Sequence, residues 1–360
     1  VSESLASAAG TFSTNKILSP SVTVSKSRVS GGSIRAIVAN SGCANCAVGD
    51  QGFKDAEEMT SLAANLLGLD SNEVAVASTG LIGSEMPMAL VRQNIGNIKV
   101  SSQGGPDFAR AIMTTDSRPK ETAVSVDVPG GRIIVGGAAK GVGMIHPNMA
   151  TMLCFMATDA KVQPGFLQKV LSDAVDASFN MIDVDGDMST NDTVLILANG
   201  AAGTSSIGPD SEGAGAFREA VTYVSTVLAK ELVRDGEGAQ RLIEVVVDGA
   251  KNLSDARTAA REIAGSLLVR AMVHGRDPNW GRIMMALGKG GVHLNESIVD
   301  VFINDIHIVH EGVAIPYFKD AVVSAMSVPE VMFRVDLNMG EHSATSWGCD
   351  LTEEYVIFNS

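Results

Sequence analysis

The residue with the clearest chemical opportunity is Thr151. It opens the apolar run Thr151-Met152-Leu153-Cys154-Phe155-Met156, after the glycine-rich stretch Gly136-Gly137-Ala138-Ala139-Lys140-Gly141 and the turn-forming His146-Pro147-Asn148. A threonine hydroxyl is a poor nucleophile and needs a base beside it. One solution uses the residue's own α-amine, freed by cutting the preceding peptide bond. Such an amine titrates at about 7.7–8.0, so near neutral pH it can accept and return a proton. The scheme asks for a hydroxyl residue at the start of a buried strand, a small residue before it, and a flexible approach that lets the peptide be strained. Ala150-Thr151 meets each demand. The same pattern suits an ordinary buried strand, because threonine's branched side chain fits a pleated sheet. The segment alone leaves both readings open.

A second feature is Thr79-Gly80-Leu81-Ile82-Gly83, a glycine-bounded turn after the strand-like 73–78 (EVAVAS). Such a turn can aim a backbone N–H and a hydroxyl at one point, as an oxyanion hole requires. It can also be a plain strand-to-helix connection. Other motifs are weaker. Cys43-x-x-Cys46 resembles half a zinc site or a redox pair, but Cys154 and Cys349 stand far off and singly, so two reduced structural thiols are expected. Asp183, Asp185 and Asp187 have a calcium-loop spacing, yet Met188 stands where glycine belongs and Val194 where the closing Glu belongs; a turn with capping roles is expected. Gly136–Gly141 lacks the Lys-Ser/Thr order of a phosphate loop. His146, His274 and His293 are each isolated, without metal-ligand spacing. No metal and no cofactor is expected.

The elements that must position these residues follow from periodicity. Strands are expected at 33–42, 73–78 and 193–200, and a hairpin at 122–128/132–137 about Pro129-Gly130-Gly131. Phe53, Ala56, Met59, Leu62, Ala63, Leu66 and Leu67 fall at helical spacing, stopped by Gly68. Further helices are expected at 85–96, 106–114, 163–179 and 214–234. After a boundary near 240 the expected order is strand 242–250, helix 254–272, loop 277–281, strand 299–310, helix 318–326, strand 330–337 and a last strand 354–359.

The chain has 360 residues, 45% of them apolar and 19% charged, which suits two domains with sizeable cores. The net charge of −14, with no run of Lys or Arg, disfavours a nucleic-acid or anionic-membrane partner. Four cysteines in a chain this long make no disulfide framework, and a reducing, cytoplasmic compartment is the simple reading. No apolar stretch is long enough to span a bilayer. The abrupt start at Val1 leaves an organelle-targeting segment ahead of it open.

Segment 140–160 (KGVGMIHPNMATMLCFMATDA) resembles the cleavage-site signature of the ornithine acetyltransferase family, the bifunctional glutamate N-acetyltransferases. Further blocks resemble that family in the same order: 77–83 (ASTGLIG), 111–116 (AIMTTD), 185–187 (DGD) with 189–192 (STND), 235–239 (DGEGA), 277–282 (DPNWGR) and 348–351 (GCDL). Together they cover essentially the whole chain.

The resemblance implies an α/β fold: a layered αββα sandwich of the self-cleaving DmpA/ornithine acetyltransferase type. Its catalytic domain would span 1–239, and a smaller C-terminal α/β domain 240–360, whose last strand returns to the active site. It implies self-cleavage between Ala150 and Thr151, with Thr151 then carrying acetyl from acetylornithine to glutamate in arginine biosynthesis. Thr79 and Gly80 would form the oxyanion hole, and Thr115, Lys140, Thr151, Glu237 and Asn359 would contact substrate. On their own, Lys140 and Glu237 would read as a solvated loop lysine and a solvated helix-end acid. Charge suggests that Lys140 meets a carboxylate and Glu237 an ammonium. The family also carries a hydroxyl residue a few positions after Asn359, which is not assigned here. The fragments are expected to stay together as an α2β2 heterotetramer, and acetyl-CoA is open as an additional donor. The rival readings are an N-terminal-nucleophile aminopeptidase or amidase sharing Thr151, and a non-catalytic amino-acid binder.

Overall fold

The computed structural model describes residues 1–146 and 152–360; the expected cleavage site, Ala150 and Thr151, lies outside the described residues. The first elements are β1 (Ala6–Phe12), α1 (Pro20–Val29), β2 (Ser33–Ile34), β3 (Ala36–Cys43), α2 (Asp50–Leu67), β4 (Val74–Leu81), α3 (Met88–Asn94) and α4 (Gly105–Ala111). There follow β5 (Lys120–Val128), β6 (Gly131–Lys140), β7 (Leu153–Thr158), α5 (Pro164–Ala177), β8 (Ile182–Asp183), β9 (Thr193–Ala198) and α6 (Ala214–Arg234). The remainder comprises β10 (Leu242–Ala250), α7 (Leu253–Ala264), α8 (Leu267–Gly275), α9 (Gly281–Lys289), β11 (Asp300–Ile303), β12 (Ile306–His310), β13 (Val313–Ala314), α10 (Lys319–Ala325), β14 (Glu330–Asp336), β15 (His342–Cys349) and α11 (Glu353–Phe358).

Two compact units result. The first comprises Val1–Gly141, Asn148–Asp176 and Met188–Leu228; the second comprises Val142–Pro147, Ala177–Asp187 and Ala229–Ser360. The division is interleaved: the last turns of α6 and two short upstream segments belong to the second unit.

The first unit is layered. Its six-stranded sheet runs β2-β1-β9-β7-β6-β5, and β3 and β4 form a separate parallel pair. Alternation along β7 and β9 explains why a sheet forms with both faces covered. Leu153, Phe155, Leu195 and Leu197 pack with Ala75 and Ala77 of β4, so the pair lies on one face of the sheet. On the outer side of the pair, Val76 meets Val24 of α1 and Ala56 and Met59 of α2. On the sheet's other face, Met156 of β7 accepts a long bond from Ser225 Oγ of α6, and Phe166 of α5 meets Phe217 of α6 at 6.3 Å. The order helix, strand, strand, helix is the layered sandwich expected. A buried Val, Leu, Met or Phe in these layers contributes roughly 1.5–3 kcal/mol.

The second unit holds a seven-stranded sheet, β13-β12-β11-β14-β10-β15-β8. Helix α7 covers it, burying Ala256, Ala259, Ala260 and Ile263 at helical spacing.

Several local expectations are corrected. Thr79 and Gly80 are not in a turn, because β4 continues to Leu81, held in register by β3. The helix expected over 254–272 is two helices, because Ser266 accepts a hydrogen bond from the Val269 N–H and caps a new start. Helix α9 follows the loop at 277–281, burying Ile283, Ala286 and Leu287. The strand expected over 299–310 is the hairpin β11–β12, turned at Asn304 with φ 48°. The last strand expected at 354–359 is helix α11, and the last strand of the chain's described residues is β15, paired with β10 and β8.

Candidate active site

In the first unit, β4 places Thr79 and Gly80 opposite Ser41 and Gly42 of β3. Gly80 has φ 133°, and a Cβ there would lie 2.2 Å from the Gly42 carbonyl carbon. Only glycine allows this approach. Thr79 is buried beside it.

Lys140 ends β6, and its side chain is 3% exposed. Its ammonium donates to Thr79 Oγ1 at 3.3 Å and Thr114 Oγ1 at 2.8 Å, and lies 3.8 Å from Asp116 Oδ2. Asp116 also accepts from the Lys120 ammonium at 2.7 Å and the Gly141 N–H at 2.9 Å. Burial works to raise the Asp116 pKa, but the charges of Lys140 and Lys120 and these hydrogen bonds prevail and hold it below the usual carboxylate range. Thus Lys140 is a buried cation fixed against two hydroxyls, not a solvated loop lysine. Thr115 is exposed between Thr114 and Asp116.

Immediately after Thr151, the Met152 N–H donates to Asp192 Oδ1 at 2.9 Å. Asp192 is wholly enclosed, and burial raises its pKa well above the usual value. The adjacent Asn191 donates from Nδ2 to Ala44 O at 2.7 Å and Ser78 O at 2.8 Å. One dipeptide therefore holds the strand end carrying Thr79 and the backbone beside position 151. In the sequence, Asn191, Asp192, Thr114 and Asp116 stand out only by lying within the blocks that resemble the family.

In the second unit, Glu237 follows α6 in a turn closed by Gly238, φ 73°. A Cβ at Gly238 would lie 2.6 Å from the Tyr355 nitrogen, so α11 packs directly on this turn. Thr352 Oγ1 donates to Gly238 O at 2.7 Å. The packing brings Asn359 Nδ2 to within 2.9 Å of Glu237 Oε2. The stretch before the expected cut is also fixed here. Glu237 N–H donates to Val142 O at 2.8 Å, Met144 and Ile145 donate backbone N–H groups to Asp185, and His146 Nδ1 pairs with Asp183 Oδ2 at 2.8 Å. The Asp183 hydrogen bond raises the His146 pKa. Burial raises that of Asp185 and, with the nearby Asp185 carboxylate, pushes Tyr355 up to about 12.

The structure therefore brings together Thr79, Gly80 and Lys140 in one unit and Glu237 with Asn359 in the other, while Thr151 lies outside the described residues. All four cysteines are buried and free.

The site holds a buried lysine turned onto threonine hydroxyls beside a glycine-shaped strand end, and the family and relatives that this chain matches make it an acyltransferase. The chain matches the ArgJ family over residues 1–360 and belongs to it. It is 47% identical over 353 residues to the arginine biosynthesis bifunctional protein ArgJ of Dehalococcoides mccartyi, covering 98% of this chain and 87% of that protein. It is 44% identical over 376 residues to the glutamate N-acetyltransferase of Methanocaldococcus jannaschii, covering 100% of this chain and 92% of that protein. A solved structure of arginine biosynthesis bifunctional protein argJ from Bacillus halodurans shares 38% identity at a TM-score of 0.55, with 56% of this chain aligned to 95% of that chain.

Proposed function

We propose that this protein is a glutamate N-acetyltransferase that cuts its own chain at Ala150-Thr151 and uses Thr151 to move acetyl from N2-acetylornithine to glutamate. The observation that carries the reading is the fixed position of Met152: its N–H is held by enclosed Asp192, next to the residue whose amine and hydroxyl must be placed. The coverage of the Bacillus halodurans chain also supports it. Nearly all of that solved chain aligns to little more than half of this one, as a chain beginning at the counterpart of Thr151 would.

In the scheme, the Thr151 amine takes the hydroxyl proton while Oγ attacks the acetyl carbonyl carbon. The oxyanion is met by the Gly80 N–H and the Thr79 hydroxyl, whose partner Lys140 adds positive charge. Such donors are worth about 10²–10³ in rate. The tetrahedral species expels ornithine, whose nitrogen receives the proton from the Thr151 amine, leaving acetyl-Thr151. The glutamate amine then attacks this ester and restores the Thr151 hydroxyl. Lys140 and Thr115 are substrate-binding residues, and Glu237, held by Asn359, accepts a substrate ammonium. The fragments stay associated as an α2β2 assembly in the cytoplasm, and no resident metal or cofactor takes part.

A mass spectrum of purified protein should show two fragments meeting at Ala150/Thr151. With acetylornithine alone, the Thr151 peptide should gain one acetyl group; with glutamate added, acetylglutamate should appear. Free acetate instead would favour an amidase. A single intact, fully active chain would end the proposal. Thr151→Ala should stay uncut and lose at least about 10⁴-fold in turnover, as when a covalent nucleophile is removed.

A further inference from the structure

We propose that Asp300, His307 and His310 form a binding site for a divalent transition metal, of the Zn²⁺ class, on the outer face of the second unit's sheet. One ligand atom from each lies within 4.8 Å of the other two. Asp300 Oδ1 is 2.9 Å from His310 Nδ1 and 3.7 Å from His307 Nε2. Zn–N and Zn–O bonds of about 2.0–2.1 Å in a tetrahedron set ligand atoms about 3.3 Å apart, between these two distances. Shifts of a few tenths of an ångström would bring both Asp300 separations to that spacing.

The backbone is built to gather these side chains. His307 and His310 are three apart on β12, so regular alternation would send them to opposite faces. The pairing instead slips between Val301 and Phe302, and Ile308 and Val309 both turn into the core. This bulge returns His310 to the face of His307. On the neighbouring strand Val301 and Ile303 are buried, so Asp300 and Phe302 share that outer face. Phe302 stacks on the His307 ring at 4.2 Å and fixes its plane.

The polar partners are also those of a metal site. His307 Nε2 is buried yet has no hydrogen-bond partner among the described residues; Asp300 Oδ1 is 3.7 Å away, beyond bonding distance. A buried nitrogen without a partner is costly, and a metal would satisfy it. Asp300 is held by the Glu311 N–H at 3.0 Å and Asn338 Nδ2 at 3.3 Å, the supports that orient a ligating carboxylate. The neighbouring cation, Arg334, pairs with Asp248 at 2.8 Å. Two imidazoles and one carboxylate favour Zn²⁺, Co²⁺ or Ni²⁺ over Mg²⁺ or Ca²⁺. Three protein ligands leave the fourth position to water or to a donor from another molecule.

The test uses the full processed protein, stripped by chelator and titrated with Zn²⁺ alone or Co²⁺ alone. Expected are one-to-one saturable Zn²⁺ binding, a tetrahedral Co²⁺ visible spectrum, and at least ten-fold weaker binding in His307→Ala, His310→Gln and Asp300→Asn, with Mg²⁺ not competing. His310 is exposed, so its variant tests the site without disturbing the core. Absence of saturable binding up to about 1 mM, or less than ten-fold weakening in His310→Gln and His307→Ala, would overturn the proposal.

Discussion

The two groups of candidate residues are set in contrasting surroundings. In the first unit Lys140, Asp116, Lys120 and Asp192 are all buried, and each position is fixed by hydrogen bonds within 3.3 Å. In the second, Glu237 is half-buried, Asn359 is exposed and His146 is partly exposed. Enclosed charges act strongly and are costly to disturb; solvated ones adjust cheaply. The difference matches the division of labour proposed. In that scheme the first group would meet the same acetyl group twice, whereas Glu237 and Asn359 would have to accept both an ammonium and a carboxylate.

Variants can break or sharpen this contrast. The largest stability effect is expected for Lys120→Ala. It leaves Asp116 short of one partner in a place with no water access, and denaturant unfolding should show a loss of about 3–5 kcal/mol. Asp192→Ala should cost about 1–3 kcal/mol by stranding the Met152 N–H, and should slow fragment formation on a denaturing gel. Asn359→Ala should cost under about 1 kcal/mol while raising KM for both amino acids in steady-state assays. If Asn359→Ala proved the most destabilising of the three, the contrast would fail.

Protonation adds a smaller effect of known sign. The His146 pKa is raised in the folded protein, so its bond to Asp183 stabilises fully below the ordinary imidazole value of 6.5 and loses that contribution as pH rises through the raised value. Asp116 behaves oppositely: its contribution is present above the ordinary carboxylate value of 3.8 and disappears as pH falls through its lowered value. Melting curves of His146→Ala and the unaltered protein should therefore differ at pH 6 and converge toward alkaline pH.

Much of the first unit was legible in the sequence, because α2, β5–β6 and α6 carry strong periodicity and clear stop signals. Less was legible after position 250. Gly265-Ser266 separates two helices whose apolar residues run on in one pattern, and the apolar run at 299–310 hides the turn at Asn304. Tyr355-Val356-Ile357-Phe358 looks like a strand, yet it forms a helix against Gly238, a preference set by tertiary packing. For the site, family blocks marked Thr79, Gly80 and Lys140, but no local pattern could show that Lys140 reaches Thr79 across 61 residues of chain. That contact depends on the placement of β4 and β6, as does the role of Asn191-Asp192.

That dipeptide has a mechanical consequence. Its two side chains grip separate backbone segments, Ala44 and Ser78 by one and Met152 by the other, and a single peptide unit joins the grips, about 3.8 Å from one Cα to the next. Covalent geometry does not relax as a rotamer does. A change that widened the gap would have to release one grip or lengthen the chain between them, so activity should tolerate reshaping around this rung far better than insertion within it.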